Sequence, residues 1–269
     1  MANKNKATII AIYNNKGGVG KTTFAINFAH CLTMKFNKKV LVIDNDGQAN
    51  ATYALTNKTE DNIAESGVNT IFDLMVDEDL EAKICILKDN LYGIDVIPAT
   101  DDHSDTPDAI SSYVDNTRIM KEKLQEIKSD YDIIIIDCSP TRDRNIYNAL
   151  FAADIVISPI ESQVFSRIGL RNLLKQIEKV NKKRDFPILH YVFLNKLDNR
   201  QRVSNQQVRN TLENLLSDDF IKAYISLLSL YSKSIENGFT AMNYQDNRGA
   251  IEIEKLTSSI LKKINEELF

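Results

Sequence analysis

The chemistry of this 269-residue chain is concentrated in Asn14-Asn15-Lys16-Gly17-Gly18-Val19-Gly20-Lys21-Thr22-Thr23. Gly17, Gly18 and Gly20 permit tight backbone turns and remove side chains that would block an approaching ligand. Successive N–H groups in such a loop can point inward as an anion-binding concavity, and a helix beginning behind it adds a favourable dipole. Lys21 places a compact positive charge on the outer phosphates of a nucleotide, and the Thr22 hydroxyl suits Mg²⁺. With Val19 and Thr23 completing the loop, this is the composition of a triphosphate cradle.

Such a cradle needs a strand in front and a helix behind. Ala7-Thr8-Ile9-Ile10-Ala11-Ile12-Tyr13 reads as the strand, and Phe24-Ala25-Ile26-Asn27-Phe28-Ala29 as the helix. Residues 39–44, 93–98, 131–137, 154–158 and 188–194 read as further strands. Short helical pieces are expected near 71–75 and 80–87 and a longer one across 115–129, with polar, irregular sequence up to about residue 69. Continuous rather than alternating apolar runs, separated by helices, predict an α/β fold: a mostly parallel twisted sheet of about 7–8 strands with helices on both faces. Few prolines and no low-complexity linker point to a single domain over residues 1–269. In such a sheet ligands bind beyond the carboxyl ends of the strands.

Two strands end there in carboxylates. In Asp44-Asn45-Asp46-Gly47-Gln48 the spacing of two puts Asp44 and Asp46 on one side if the extended backbone persists; in isolation the pair reads equally as turn residues closing a strand. Asp137 follows Ile133-Ile134-Ile135-Ile136, the Walker B arrangement, in which an acid at a strand end holds Mg²⁺ usually through water. A third strand end carries Asn195-Lys196-Leu197-Asp198. Taken alone, N-K-x-D is a guanine-reading motif whose aspartate accepts from the ring nitrogens.

The standard phosphate-loop pattern G-x-x-x-x-G-K-S/T would require glycine at Asn15, and here a second lysine, Lys16, opens the loop. This loop resembles the deviant Walker A box of the ParA/MinD family of dimeric ATPases. The resemblance implies ATP and Mg²⁺ as cofactors and an ATP-dependent sandwich homodimer in which Lys16 reaches the other subunit's phosphates. It assigns catalysis to Lys16, Lys21 and Asp46, with Asp46 positioning or activating water. Metal binding falls to Thr22, Asp44 and Asp137. The aspartate run resembles the family's D-x-D-x-Q segment, with Gly47 where proline is usual, and Cys138-Ser139-Pro140 resembles D-x-P-P with one proline lost. The charged Thr141-Arg142-Asp143-Arg144 departs from the family's small apolar residues.

The same resemblance turns the base end toward adenine, because the family mostly uses ATP; Asn195 would then pair with the amino group and Asp198 flank the base. Asp198-Asn199-Arg200 fits the D-x-R of partition relatives, whose arginine contributes to sequence-independent DNA binding, and Arg202 lies close by. Such phosphate contacts carry no sequence information and weaken with salt. Where relatives have I-P-R-x-x-R-L, this chain reads Ile225-Ser226-Leu227-Leu228-Ser229-Leu230-Tyr231, so a second basic contribution is missing or relocated. Lys233, or the cluster Lys179, Lys182, Lys183 and Arg184, could supply it, although that cluster reads equally as a solvated helix end.

The net charge of −4 excludes a wholly basic nucleic-acid binder. Cys31, Cys85 and Cys138 are too few and too scattered for a disulfide framework or a zinc site. No signal-peptide core follows Met1, and no run of about 18 apolar residues spans a membrane. A cytoplasmic, nucleoid-associated protein is expected, without a separate helix-turn-helix domain and with nonspecific double-stranded DNA and a ParB-like centromere-binding protein as partners. Two alternatives remain. A MinD-like positioning ATPase would use residues 251–269 as a membrane helix, although their mixed charges favour packing on the sheet and no membrane contact. A nitrogenase-type iron protein would need two interface cysteines per subunit.

Overall fold

The computed structural model describes residues 7–88, 90–162, 165–236, 239–244 and 247–268. In chain order the elements are β1 (Thr8–Ile12), α1 (Lys21–Phe36), β2 (Val40–Asn45), α2 (Asn50–Thr56), α3 (Glu60–Ser66), α4 (Ile71–Val76) and β3 (Asp95–Ile97). There follow α5 (Thr106–Ala109), α6 (Ile119–Leu124), β4 (Ile133–Cys138), α7 (Arg144–Ala152), β5 (Ile155–Glu161) and α8 (Arg167–Asn181). The chain closes with β6 (Leu189–Leu197), α9 (Arg202–Leu216), β7 (Phe220–Ser226), α10 (Ser229–Glu236) and α11 (Arg248–Leu268).

The strands form one 7-stranded sheet in the order β3-β2-β4-β1-β5-β6-β7, every neighbouring pair parallel. β1, β2 and β4 are covered on both faces, which is why their sequences are continuous apolar runs. Ile9 and Ala11 of β1, with Tyr13 just after it, join the core beneath α4, α6, α7 and α8, while Ile10 and Ile12 join the opposite core beneath α1, α2 and α11. A third cluster, with Val192, Leu194, Leu212 and Phe220, seats α9 on β6 and β7. β4 lies between β1 and β2, so three strand ends converge where the glycine loop emerges.

Several local expectations shift. The stretch read as irregular holds α2 and α3; α3 buries only Ile63 and starts with a Thr59–Asn62 capping box, so capping rather than apolar periodicity marks it. The piece near 80–87 is one 3₁₀ turn at Ala82–Cys85, and the helix expected across 115–129 is regular only over α6. β7 escaped the strand reading because it is the sheet edge: Lys222 is exposed, which breaks its apolar run. The last helix packs as expected, with Ile253, Leu256, Ile260 and Ile264 buried against the α1 side of the sheet. Among the described residues no helix is long and apolar enough to cross a membrane. The polar leader, residues 1–6, lies outside the described residues.

Candidate nucleotide site

β1 runs into the glycine loop and α1 begins at Lys21, with Gly20 as its N-cap and no side chain capping the first turn. The first backbone N–H groups of α1 thus face the loop. Gly20 has φ +85°, and a Cβ there would lie 2.5 Å from Asn195 Nδ2, so both conformation and space require glycine. The loop is held from beneath and behind. Asn14 Nδ2 donates to the Pro159 carbonyl (2.8 Å) while Asn14 Oδ1 accepts from the Lys16 N–H (3.1 Å). Asn195 Nδ2 donates to the Val19 carbonyl (2.8 Å), and Lys196 Nζ to the Gly18 carbonyl (2.6 Å). Lys21 is buried, its ammonium 3.3 Å from the Lys16 carbonyl. Burial lowers the Lys21 pKa, and the nearby Asp137 carboxylate opposes that shift. The Lys16 side chain is exposed at the loop mouth.

Beneath the loop Asp44 and Asp137 face each other in the β2–β4 register. Asp44 is fully buried and satisfied: Oδ2 accepts from the Thr52 N–H (2.7 Å) and the Thr52 hydroxyl (2.8 Å), and Oδ1 from the Asp46 N–H (3.3 Å). Burial pushes its pKa up to about 6, against the pull of the Thr52 bonds. Asp137 is equally buried, but neither of its oxygens has a hydrogen-bond partner of good geometry. Burial raises its pKa well above the carboxylate range and Asp44 adds to the rise, while the Thr22 hydroxyl and the Lys21 ammonium oppose it.

A buried carboxylate with both oxygens unpaired, facing a threonine hydroxyl at a phosphate cradle, fits a hard oxygen-seeking cation that takes its remaining ligands from phosphate and water. Among the described residues no group of three or more acidic, histidine or cysteine side chains is arranged to hold a metal ion.

Asp46 is half-buried and its Oδ1 accepts from the Gln48 N–H (3.1 Å). Gly47 abuts the 3₁₀ turn Asp101–Asp105: a Cβ on it would lie 2.3 Å from Ser104 Oγ and 3.2 Å from the Ser104 nitrogen. That contact leaves no room for the usual proline. The same turn carries buried His103, whose Nε2–H donates to Asn45 Oδ1 (2.9 Å) while its Nδ1 accepts from the Thr106 hydroxyl (3.0 Å). Thr52 and His103 thus support the aspartate segment, and neither announces itself by sequence motif. The charged loop before α7 is partly structural: Asp143 caps the helix through the Ile146 N–H (3.2 Å), and Arg144 donates to the Pro107 carbonyl (3.0 Å).

At the base end Asn195 and Asp198 are buried. Asn195 is committed to the loop through Val19, with its Oδ1 on the Lys196 N–H (2.9 Å). Asp198 forms a bidentate pair with Arg200: Arg200 Nη2 to Oδ2 at 2.7 Å and Nε to Oδ1 at 2.9 Å. Arg202 stands exposed in the first turn of α9. Of the alternative basic cluster, Arg184 is structural: its Nη1 donates to the Leu150 (2.9 Å) and Phe151 (2.5 Å) carbonyls that end α7. Lys182 pairs with Glu178 at 2.9 Å. All three cysteines are free and buried.

The family model described as an AAA domain matches residues 7–189. The sporulation initiation inhibitor protein Soj of Bacillus subtilis (strain 168) is 34% identical over 202 residues, covering 74% of this chain and 77% of that protein. The chromosome-partitioning ATPase Soj of Treponema pallidum (strain Nichols) is 27% identical over 256 residues, covering 94% of this chain and 97% of its own. Among solved structures, a putative plasmid partition protein from Borrelia burgdorferi B31 bound to AMPPNP superposes with TM-score 0.80 at 25% identity, over 96% of this chain and 100% of that one. With its second lysine at the head of the glycine loop, the chain belongs to the ParA/Soj family of partition ATPases.

Proposed function

We propose that residues 1–269 act as one ATPase domain that hydrolyses ATP slowly, closes on ATP·Mg²⁺ into a sandwich homodimer, and in that state binds double-stranded DNA without sequence preference at the nucleoid. A ParB-like centromere-binding protein would stimulate hydrolysis and release. The observation that carries this reading is Asp137, fully buried with both oxygens unpartnered, beside Thr22 and Lys21 beneath the loop that Lys16 opens.

The loop N–H groups and Lys21 bind and orient the phosphates. Thr22 and Asp137 would hold Mg²⁺, which would supply charge neutralisation on the phosphate oxygens. Asp44 serves from behind, fixing the Asp46 N–H and α2. Asp46 would hold the attacking water, and Lys16, exposed at the mouth, would reach a second subunit. Arg200 and Arg202, on one exposed surface beside the base end, act in pairs once two chains join, which raises the effective affinity for phosphates. The two alternatives have no support here: the apolar face of α11 is buried and no cysteine is exposed.

Light scattering and gel shift on nonspecific duplex, each with ATP, ADP and no nucleotide, test the proposal. Wild type should dimerise and shift DNA only with ATP. Lys16→Ala should bind nucleotide yet stay monomeric, and Asp46→Ala should remain a DNA-bound dimer. A Lys16→Ala chain that dimerises normally with ATP would overturn the sandwich assignment.

A further inference from the structure

The N-K-x-D segment of β6 is assembled against the phosphate loop like a base-reading unit, and then its acid is taken away. Asn195 and Lys196 pin successive loop carbonyls, Val19 at 2.8 Å and Gly18 at 2.6 Å, which sets the carboxyl end of β6 against the phosphate loop. Asp198 comes two residues later, with a side chain only 10% exposed. Its backbone is anchored independently of Arg200. Asn205 Nδ2 donates to the Asp198 carbonyl (2.8 Å), and Asn205 Oδ1 accepts from the Ser162 hydroxyl (2.8 Å). Both carboxylate oxygens are occupied by Arg200, through Nη2 and Nε on Oδ2 (2.7 and 3.1 Å) and Nε on Oδ1 (2.9 Å). The Arg200 side chain is itself 86% exposed, so the cover lies on the outside of the site.

Base chemistry gives this arrangement a consequence. Guanine presents N–H donors at N1 and at its 2-amino group, which a free carboxylate accepts together. Adenine presents a lone pair at N1 and no amino group at C2, so a free carboxylate repels it. We propose that Arg200 is a specificity-determining residue of the base site: by occupying both oxygens of Asp198 it withholds the acid from guanine and leaves adenine preferred. The proposal rests on the nucleotide-site reading above and extends it to base choice. Removing the guanidinium frees Oδ2 entirely. Oδ1 keeps only the Arg200 backbone N–H (3.0 Å), which any residue at that position supplies.

The test is displacement of a fluorescent ATP analogue by ATP or GTP, with Mg²⁺, in wild type, Arg200→Ala and the double variant Asp198→Ala with Arg200→Ala. Wild type should favour ATP by about tenfold or more, and Arg200→Ala should narrow that ratio by about tenfold, chiefly through tighter GTP binding, the scale of a bidentate base contact. The double variant should lose the gain. An unchanged ratio in Arg200→Ala, a gain that survives in the double variant, or a wild type that favours GTP would overturn the proposal. A wild type that binds neither triphosphate would instead strike down the nucleotide-site reading, and this inference with it.

Discussion

Asp44 and Asp137 stand opposite each other on adjacent parallel strands, both without solvent exposure, yet only Asp44 has hydrogen bonds of good geometry. Thr52 and the Asp46 N–H satisfy Asp44, which makes it a structural partner of α2 and of the segment carrying Asp46. Asp137 has no such partners, a lack the proposed Mg²⁺ would make good. An unpaired buried carboxylate costs stability unless something compensates it, so the site stores part of the affinity it later expresses for metal and nucleotide.

Asp137→Asn should therefore raise the stability of the ligand-free chain, by about 1–3 kcal/mol, while abolishing the stabilisation by ATP·Mg²⁺. Thermal unfolding with and without ATP·Mg²⁺ checks both halves. A variant less stable than wild type without ligand would show that Asp137 is already compensated.

Acid stability should depend on the histidines. Burial lowers His30 and His190 to about 4 and His103 to about 3. Because the folded pKa lies below the unfolded value of 6.5, the unfolded chain takes up more protons. The contribution of His103 is fully present above pH 6.5 and is lost as pH falls toward about 3. Asp44 works in the opposite sense, its contribution complete below about 3.8 and lost as pH rises through about 6. Comparing wild type with His103→Gln cancels the Asp44 term. The stability gap between them should change steadily between pH 6.5 and 4 and be flat above 7. Urea midpoints across that range measure it.

The loop glycines are unequal. Gly20→Ala combines positive φ with a Cβ 2.5 Å from Asn195 Nδ2, whereas Gly18→Ala has φ +75° but open space. Backbone strain of about 1–2 kcal/mol applies to both, and displacing Asn195 adds about 1–3 kcal/mol only at Gly20. Chemical denaturation should rank Gly20→Ala as the more destabilised, with the larger loss of nucleotide affinity.

Arg184 and Arg200 should separate structure from DNA binding. Arg184→Ala strips donors from the end of α7 and should lower the melting temperature while leaving the salt slope of DNA binding intact. Arg200→Ala should weaken binding uniformly across sequences and reduce that slope by about 1. Gel shifts over a salt series distinguish the two.

The glycine loop, the strands β1, β2 and β4, and the placement of Asp44 and Asp137 at strand ends were determined by the sequence alone. Local rules act on them directly: short, β-branched apolar runs separated by helical patterns read as doubly covered strands, and acids closing such runs fall at the sheet's carboxyl edge. What the tertiary structure decided is which partner each of these side chains takes, near or far along the chain. Thr52 occupies Asp44, His103 braces Asn45, Asn195 and Lys196 pin the loop from 176 and 178 residues away, and Arg184 turns inward to α7. Residue type and spacing cannot show which of two nearby polar groups claims a side chain. Asp198 makes the point: by motif it is free to read a base, and only the fold shows that Arg200 already holds it.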